Sequence, residues 1–188
     1  GSGSVANGYE SITGQINLEM RKPENAEKLF VNFYANHQGR AEANLHVAEK
    51  FGERWNSMLF LHTNVLTNRV DNNGDGFIDN PMKKHYNLFN RWKYQNDNME
   101  AQFGVRGLTE SIQSGQLQFD YRRDFGTTNT YGIGVRADQA ELYGKIGKLF
   151  HDQPYKGLAV FGTSRFHRQS SYFGLKRYYG EQRSVFLN

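Results

Sequence analysis

Apolar and polar residues alternate with a period of two along most of this chain, and that pattern restricts it to β-sheet. Successive side chains of a strand point to opposite faces, so alternation sorts each strand into an apolar side and a polar side. Leu29, Val31, Phe33 and Ala35 alternate with Phe30, Asn32, Tyr34 and Asn36. Ala41, Ala43, Leu45 and Val47 alternate with Glu42, Asn44, His46 and Ala48, and Leu59, Leu61, Thr63 and Val65 with Phe60, His62 and Asn64. Tyr86, Leu88, Trp92 and Tyr94 share a side, with Asn90 as the exception, opposite Asn87, Phe89, Arg91 and Lys93. Met99–Arg106 and Ala140–Gly147 repeat the pattern, and Leu158–His167 keeps it in blurred form. No strand is apolar on both sides for long.

A soluble sandwich turns the apolar side inward, and a membrane barrel turns it outward. Alternation alone does not separate the two, but the connections are more informative. Gln38–Arg40, Gly52–Arg54, Asn96–Asn98 and His151–Lys156 read as short turns, and Thr67–Met82, Thr109–Gln139 and Arg168–Gln182 as long links. If the first strand, Lys28–His37, runs outward, the last three short turns fall on one side of a membrane and the long links on the other. Outer-membrane barrels have that asymmetry. Within Thr109–Gln139, Leu117, Phe119 and Tyr121 alternate with Gln116, Gln118, Asp120 and Arg122, a turn follows at Gly126–Asn129, and Tyr131–Arg136 returns. This predicts a hairpin extending above the membrane, the other arrangement being two further barrel strands.

Composition agrees with a barrel. Aromatic residues are 14% of the chain, which excludes disorder, while the hydrophobic fraction of 37% and mean hydropathy of −0.77 are low for a packed globular core. Twenty Gly, three Pro and many Tyr and Phe suit a wet interior with aromatic girdles. No run of 18 apolar residues predicts a membrane helix. The absence of Cys removes disulfides and thiolate metal sites. The net charge of +4 is spread in pairs such as Lys83-Lys84 and Arg122-Arg123, not gathered on one face as nucleic-acid binding requires. No nucleic-acid partner is expected.

The sharpest local motif is Asp71-Asn72-Asn73-Gly74-Asp75-Gly76-Phe77-Ile78-Asp79. Ca²⁺ takes six to eight oxygen ligands in flexible geometry. Side chains of Asp71, Asn73, Asp75 and Asp79, with the carbonyl of Phe77, have the spacing for it, and Gly76 stands at the sharp turn. Met82 occupies the place where an EF-hand has a bidentate Glu, so the loop is similar to the shorter calcium loops of dockerin or thrombospondin repeats. The other expectation is an ordinary Asn/Asp/Gly turn. His37, His46, His62, His85, His151 and His167 show no metal-type spacing with one another. No catalytic triad, phosphate loop or zinc motif stands out, no catalytic residue is nominated, and the chain is expected not to be an enzyme.

Gly3, Ser4, Val5, Asn7, Gly8, Glu10, Ser11, Ile12, Gly14, Gln15, Ile16, Asn17, Lys22 and Pro23 resemble the end of the plug domain of TonB-dependent outer-membrane receptors of the Bacteroidetes type. Tyr143, Lys145, Gly147, Phe150, Pro154, Tyr155, Phe173-Gly174-Leu175, Tyr178, Gly180, Gln182 and Ser184–Asn188 resemble the same group. The resemblance implies that residues 1–23 end a plug and residues 24–188 are the first strands, about eight, of a larger antiparallel transmembrane β-barrel. It implies a bacterial outer-membrane location in contact with lipid. It also implies uptake of an iron chelate, haem, cobalamin or oligosaccharide, driven by the TonB–ExbB–ExbD system through a TonB box outside this sequence. A surface lipoprotein cap is a further partner it admits. Gln15, Asn17 and Glu19 would lie where plug meets wall, and Arg91, Lys93, Gln102 and Arg106 would line the lumen. Two alternatives stay open: a soluble calcium-dependent β-sandwich binding module, and a complete small outer-membrane barrel.

The motif predicts that Asp75→Ala weakens Ca²⁺ binding by calorimetry, with loss of loop stiffness and ligand capture. A titration matching that of the unsubstituted protein removes Ca²⁺ from the loop.

Overall fold

Strands form where the two-residue alternation runs, and they lie side by side in chain order. A computed structural model describes residues 21–150 and 156–188. Its strands are β1 (Leu29–Ala35), β2 (Arg40–Phe51), β3 (Trp55–Leu66), β4 (Met82–Gln95), β5 (Met99–Gly115), β6 (Gly132–Leu149), β7 (Gly157–Phe173) and β8 (Lys176–Leu187). A single helical turn, α1 (Tyr121–Asp124), interrupts the connection after β5. The fold is all-β: one antiparallel sheet in the order β1-β2-β3-β4-β5-β6-β7-β8. The sheet is not closed, and β1 and β8 are its edges.

The predicted connections need two corrections. β5 runs on to Gly115 and β6 begins at Gly132, so Leu117, Phe119 and Tyr121 do not build a separate hairpin strand. The Asp120 side chain accepts hydrogen bonds from the backbone N–H groups of Arg122 and Arg123 and starts α1 instead. Capping by a short acidic side chain competes with extension and wins here. Arg168–Gln182 is likewise not a long link. β7 and β8 continue through it and reverse at Gly174 (φ 58°) and Leu175. Polar residues and the adjacent pairs Tyr172-Phe173 and Tyr178-Tyr179 fall on both sides there, so they carry no alternation, yet their backbones pair in full register from Gly162↔Leu187 to Phe173↔Lys176.

One rim of the sheet carries the turns at 52–54 and 96–98 and the connection from β6 to β7, of which 151–155 lie outside the described residues. The opposite rim carries 36–39, 67–81, 116–131 and 174–175. At the short turns a side chain serves as acceptor: Asn36 Oδ1 takes the N–H of Gln38 and of Arg40 (both 3.1 Å), and Asn96 Oδ1 takes that of Met99 (2.8 Å).

Register aligns the two sides of all eight strands into two faces. One is apolar and exposed: Leu29, Val31, Leu88, Val105, Leu142 and Val185 lie open on it. Toward the short-turn rim it bears Phe51, Trp55, Trp92, Tyr94 and Phe103, with Phe51–Trp92 centroids 5.2 Å and Trp55–Tyr94 centroids 4.9 Å apart. Asn90, the exception in the pattern, is satisfied where it stands. Its Oδ1 accepts the Trp92 indole N–H (2.8 Å), and its Nδ2 donates to the Met58 carbonyl (3.3 Å).

The other face is polar, and the buried apolar side chains of the sheet, Met58, Ala48, Leu66 and Phe89, lie on it. Residues 21–27 run over it ahead of β1. Arg91 donates to the carbonyl of Arg21 (2.6 Å), Lys93 pairs with Glu24 (2.6 Å), and the Pro23 side chain is fully buried. Of the segment expected to end a plug, only Arg21, Lys22 and Pro23 are therefore described. Gly3–Asn17, with Gln15, Asn17 and Glu19, lies outside the described residues, as does the turn region 151–155.

Gly104 on the polar face sits under Tyr143. A Cβ there would come 2.5 Å from the Tyr143 ring and 2.8 Å from the Asn90 carbonyl, whereas at Gly144 it would meet nothing nearer than 3.9 Å. Gly104→Ala should destabilise the sheet by about 1–3 kcal/mol through overpacking, and Gly144→Ala much less. Paired thermal melts check this; equal melting temperatures would refute it.

Candidate functional site

Antiparallel pairing brings Phe30, His46, Phe60 and Phe89 into one row across β1–β4 on the polar face. Phe30 and His46 stack at 5.0 Å, His46 and Phe60 lie 6.1 Å apart, and Phe60 and Phe89 stack at 5.6 Å. Tyr143 joins the end of the row 6.0 Å from Phe89. The same row continues into charge: Arg106 and Glu141 follow on β5 and β6, and Arg165 on β7 closes on Glu141 at 2.6 Å.

One row nearer the long-loop rim, Asn32, Asn44, His62 and Asn87 stand side by side. Asn44 Nδ2 donates to Asn32 Oδ1 (3.3 Å), His62 Nδ1 lies 2.6 Å from Asn44 Oδ1, and Arg106 Nε donates to Asn87 Oδ1 (3.3 Å). Ring row and amide row together line a concavity of about 760 Å³. Rings offer flat apolar contact, while amides, guanidinium and carboxylate fix the edges of whatever lies on them. One row further, Arg40 pairs with Glu42, Asn64 donates to Glu42 (3.2 Å), and Lys83 (2.9 Å) and His85 (2.8 Å) both meet Glu110.

Arg91, Lys93, Gln102 and Arg106 stand on this same face, as alternation predicts. Outside the sheet, burial opposes the charge of Glu24, but the Lys93 ammonium and backbone donors outweigh it and hold the carboxyl below its usual range. The ring row and the His62–His85 neighbourhood are not visible in the sequence by spacing. They come from separate strands of fixed register, and no local periodicity encodes which residue of one strand faces which of another.

The motif residues Asp71, Asn73, Asp75, Phe77 and Asp79 all sit in the 67–81 connection at the long-loop rim. Asp71 accepts the N–H of Gly74 (2.7 Å) and of Gly76 (2.9 Å). Asn73 accepts from Asp75 N–H (3.1 Å), Asp75 from Phe77 N–H (2.8 Å), and Asp79 from the Asn72 backbone and side chain (both 2.8 Å). The Phe77 backbone bridges to Gln116. Each acidic side chain is thus turned onto the loop's own backbone. Among the described residues no group of three or more His, Cys, Asp or Glu side chains is gathered to hold a metal ion.

This loop is joined to the next one. Ile78 N–H donates to Gly115 (3.0 Å), Leu117 N–H to Gly76 (2.8 Å), and Arg69 donates to the carbonyls of Leu117 (2.7 Å) and Phe119 (2.8 Å). The 116–131 connection then folds against β6 and β7. The Phe119 and Tyr172 rings lie where a side chain at Gly132 or Gly134 would otherwise be. Tyr121 and Phe125 pack on Tyr172 at 5.0 and 5.6 Å, and Arg177 covers Phe125 at 4.4 Å. Buried Asp124 anchors the turn: hydrogen bonds from the Arg123 guanidinium and the Asp120 N–H hold its carboxyl well below the usual range. The two long connections are therefore tied to each other, and the second lies against β6 and β7 at Gly132, Gly134 and Tyr172, on the side of the sheet that carries Leu142 and Asp138.

No protein-family model, curated protein or solved structure matches this chain.

Asp71→Ala removes both acceptors that set Gly74 (φ 73°) and Gly76 (φ 84°). In chelator-treated protein, hydrogen exchange of those two amides should rise about 5-fold or more, since each lost bond is worth roughly 1 kcal/mol. Unchanged protection would mean that the loop is held by its ties to 115–119 alone.

Proposed function

We propose that this chain forms part of the wall of an outer-membrane β-barrel receptor of the TonB-dependent kind, which takes up a scarce nutrient across the outer membrane. The observation that carries the proposal is the apolar face. On β3 its lipid-compatible stretch runs from Trp55 to Val65, the 9–11 residues that a tilted transmembrane strand requires. Aromatic side chains cluster at the short-turn end of that stretch, as at a membrane interface.

The far limit of the apolar stretch also shifts along the register. It is reached at Lys84 on β4, opposite Val65, but one step sooner at Thr109, Asp138 and Arg168, and sooner still at Arg183 on β8. Tilted strands crossing a common plane would give that slant. The polar face, over which residues 21–27 run, would then line the lumen, and a plug preceding the first strand would lie inside it. The ring and amide rows offer a nutrient flat apolar contact and polar edges. The Asp71–Asp79 loop would stand outside the membrane, where Ca²⁺ could take over some of the carboxylate oxygens now used by backbone N–H groups.

The alternatives differ in where the apolar face goes. Trp55 and Trp92, the only two tryptophans, both lie on it. Protein extracted from the outer membrane of its source and placed in bilayers should show tryptophan emission quenched by lipid-borne quenchers and protected from aqueous iodide. Its intact mass should be several times 21.7 kDa. Iodide quenching of protein soluble without detergent would favour the soluble binding module. Lipid quenching at a mass near that of this chain would favour a complete small barrel.

A further inference from the structure

Two imidazoles that are 23 residues apart in the chain are neighbours on the polar face. In the β3–β4 register, His62 stands opposite Asn87 and His85 opposite Asn64, so the two histidines are diagonal neighbours. Their ring centroids are 5.3 Å apart, with the planes at 63°. His62 Nδ1 lies 2.6 Å from Asn44 Oδ1 on β2, and His85 Nδ1 lies 2.8 Å from Glu110 Oε2 on β5. Each Nδ1 thus faces an oxygen on the side away from the other histidine. Carboxylate Glu110 is acceptor-only, which makes His85 Nδ1 the donor, and the Asn44 amide oxygen does the same for His62.

That pattern fixes both rings in the tautomer that leaves Nε2 with a free lone pair. It also turns the Nε2–Cδ2 edges toward the space between the two rings. Among the described residues neither Nε2 has a hydrogen-bond partner. An imidazole whose Nδ1–H is held by a carbonyl or carboxylate oxygen is the usual state of a metal-ligating histidine, and the oxygen sets its orientation and raises its basicity. Metal–nitrogen bonds of about 2.0–2.1 Å and a ligand–metal–ligand angle near the tetrahedral value place two ring centroids roughly 5 Å apart, close to the observed spacing. The neighbouring cations do not oppose a metal strongly, because Arg40 is paired with Glu42 and Lys83 with Glu110.

From this geometry we propose that His62 and His85 form a binding site for a borderline divalent transition cation, with Zn²⁺ favoured by the angle. Imidazole nitrogen suits such ions better than Ca²⁺ or Mg²⁺. Two protein ligands leave the remaining positions to water or to groups carried by the ion's own chelator. That is the arrangement of an exchangeable station and not of a closed structural site. The site goes beyond the transport reading and does not depend on it, because it rests on the β2–β5 register alone.

The test is calorimetric titration of the full chain in detergent with ZnCl₂, in excess Ca²⁺ so that oxygen-rich loops are occupied. One site per chain is expected. His62→Gln and His85→Gln should each weaken it at least about 10-fold, and Asn44→Leu, which touches no metal, should weaken it roughly 10- to 100-fold through loss of ring orientation. His37→Gln, in the turn at the same rim, should leave it unchanged. Undiminished Zn²⁺ affinity in the His62→Gln/His85→Gln double variant, with native β-sheet circular dichroism, would overturn the proposal. So would absence of Zn²⁺ uptake by the unsubstituted protein.

Discussion

The structure depends on an unbroken antiparallel register across seven strand pairs. Each ladder is paired residue for residue over the shared length, with 17 partners between β5 and β6 alone. Because side chains alternate strictly, a slip of one residue in any ladder would exchange the apolar and polar faces beyond it. The exposed Leu, Val and Ile residues, the tryptophan cluster, the ring row and the histidine pair all exist only in this register. The short Asx-type turns at Asn36 and Asn96 help to fix it, since each sets the offset of the next strand.

The two faces divide the work. The apolar face has no protein cover among the described residues, and its side chains can gain stability only by leaving water for another apolar medium. The polar face is organised in transverse rows that change character from strand to strand: rings on β1–β4, then Arg106, Glu141 and Arg165 on β5–β7. Several charges there are paired across strands: Arg40 with Glu42, Lys83 and His85 with Glu110, and Arg165 with Glu141. Half-exposed pairs of this kind contribute little stability, but they hold side chains in position around the concavity.

The rim shows how a polar loop becomes ordered without a core. Asp71, Asn73, Asp75 and Asp79 supply the acceptors that its backbone lacks, and Arg69 ties it to the next connection. Phe119 then docks at Gly132 of β6, Tyr172 of β7 lies over Gly134, and Tyr121 and Phe125 pack on Tyr172. Glycine there removes the side chain that would fill the space, and the aromatic ring takes it.

The sequence by itself determined that the chain is β, where most strands lie, which side of each is apolar, and that Arg91, Lys93, Gln102 and Arg106 share a face. Those are consequences of a two-residue period, which is local. It placed the Asp71–Asp79 loop for the same reason, since Asp, Asn and Gly act on their own backbone. It misjudged 116–122, where alternation was present but capping by Asp120 prevailed. It also misjudged 168–182, where strands continue without alternation because polar and aromatic residues fall on both sides alike. Tertiary structure alone decided which residues meet across strands. Phe30 reaches His46, and His62 reaches His85, only through the register of separate ladders, and that register is a property of the whole sheet and not of any window of the chain.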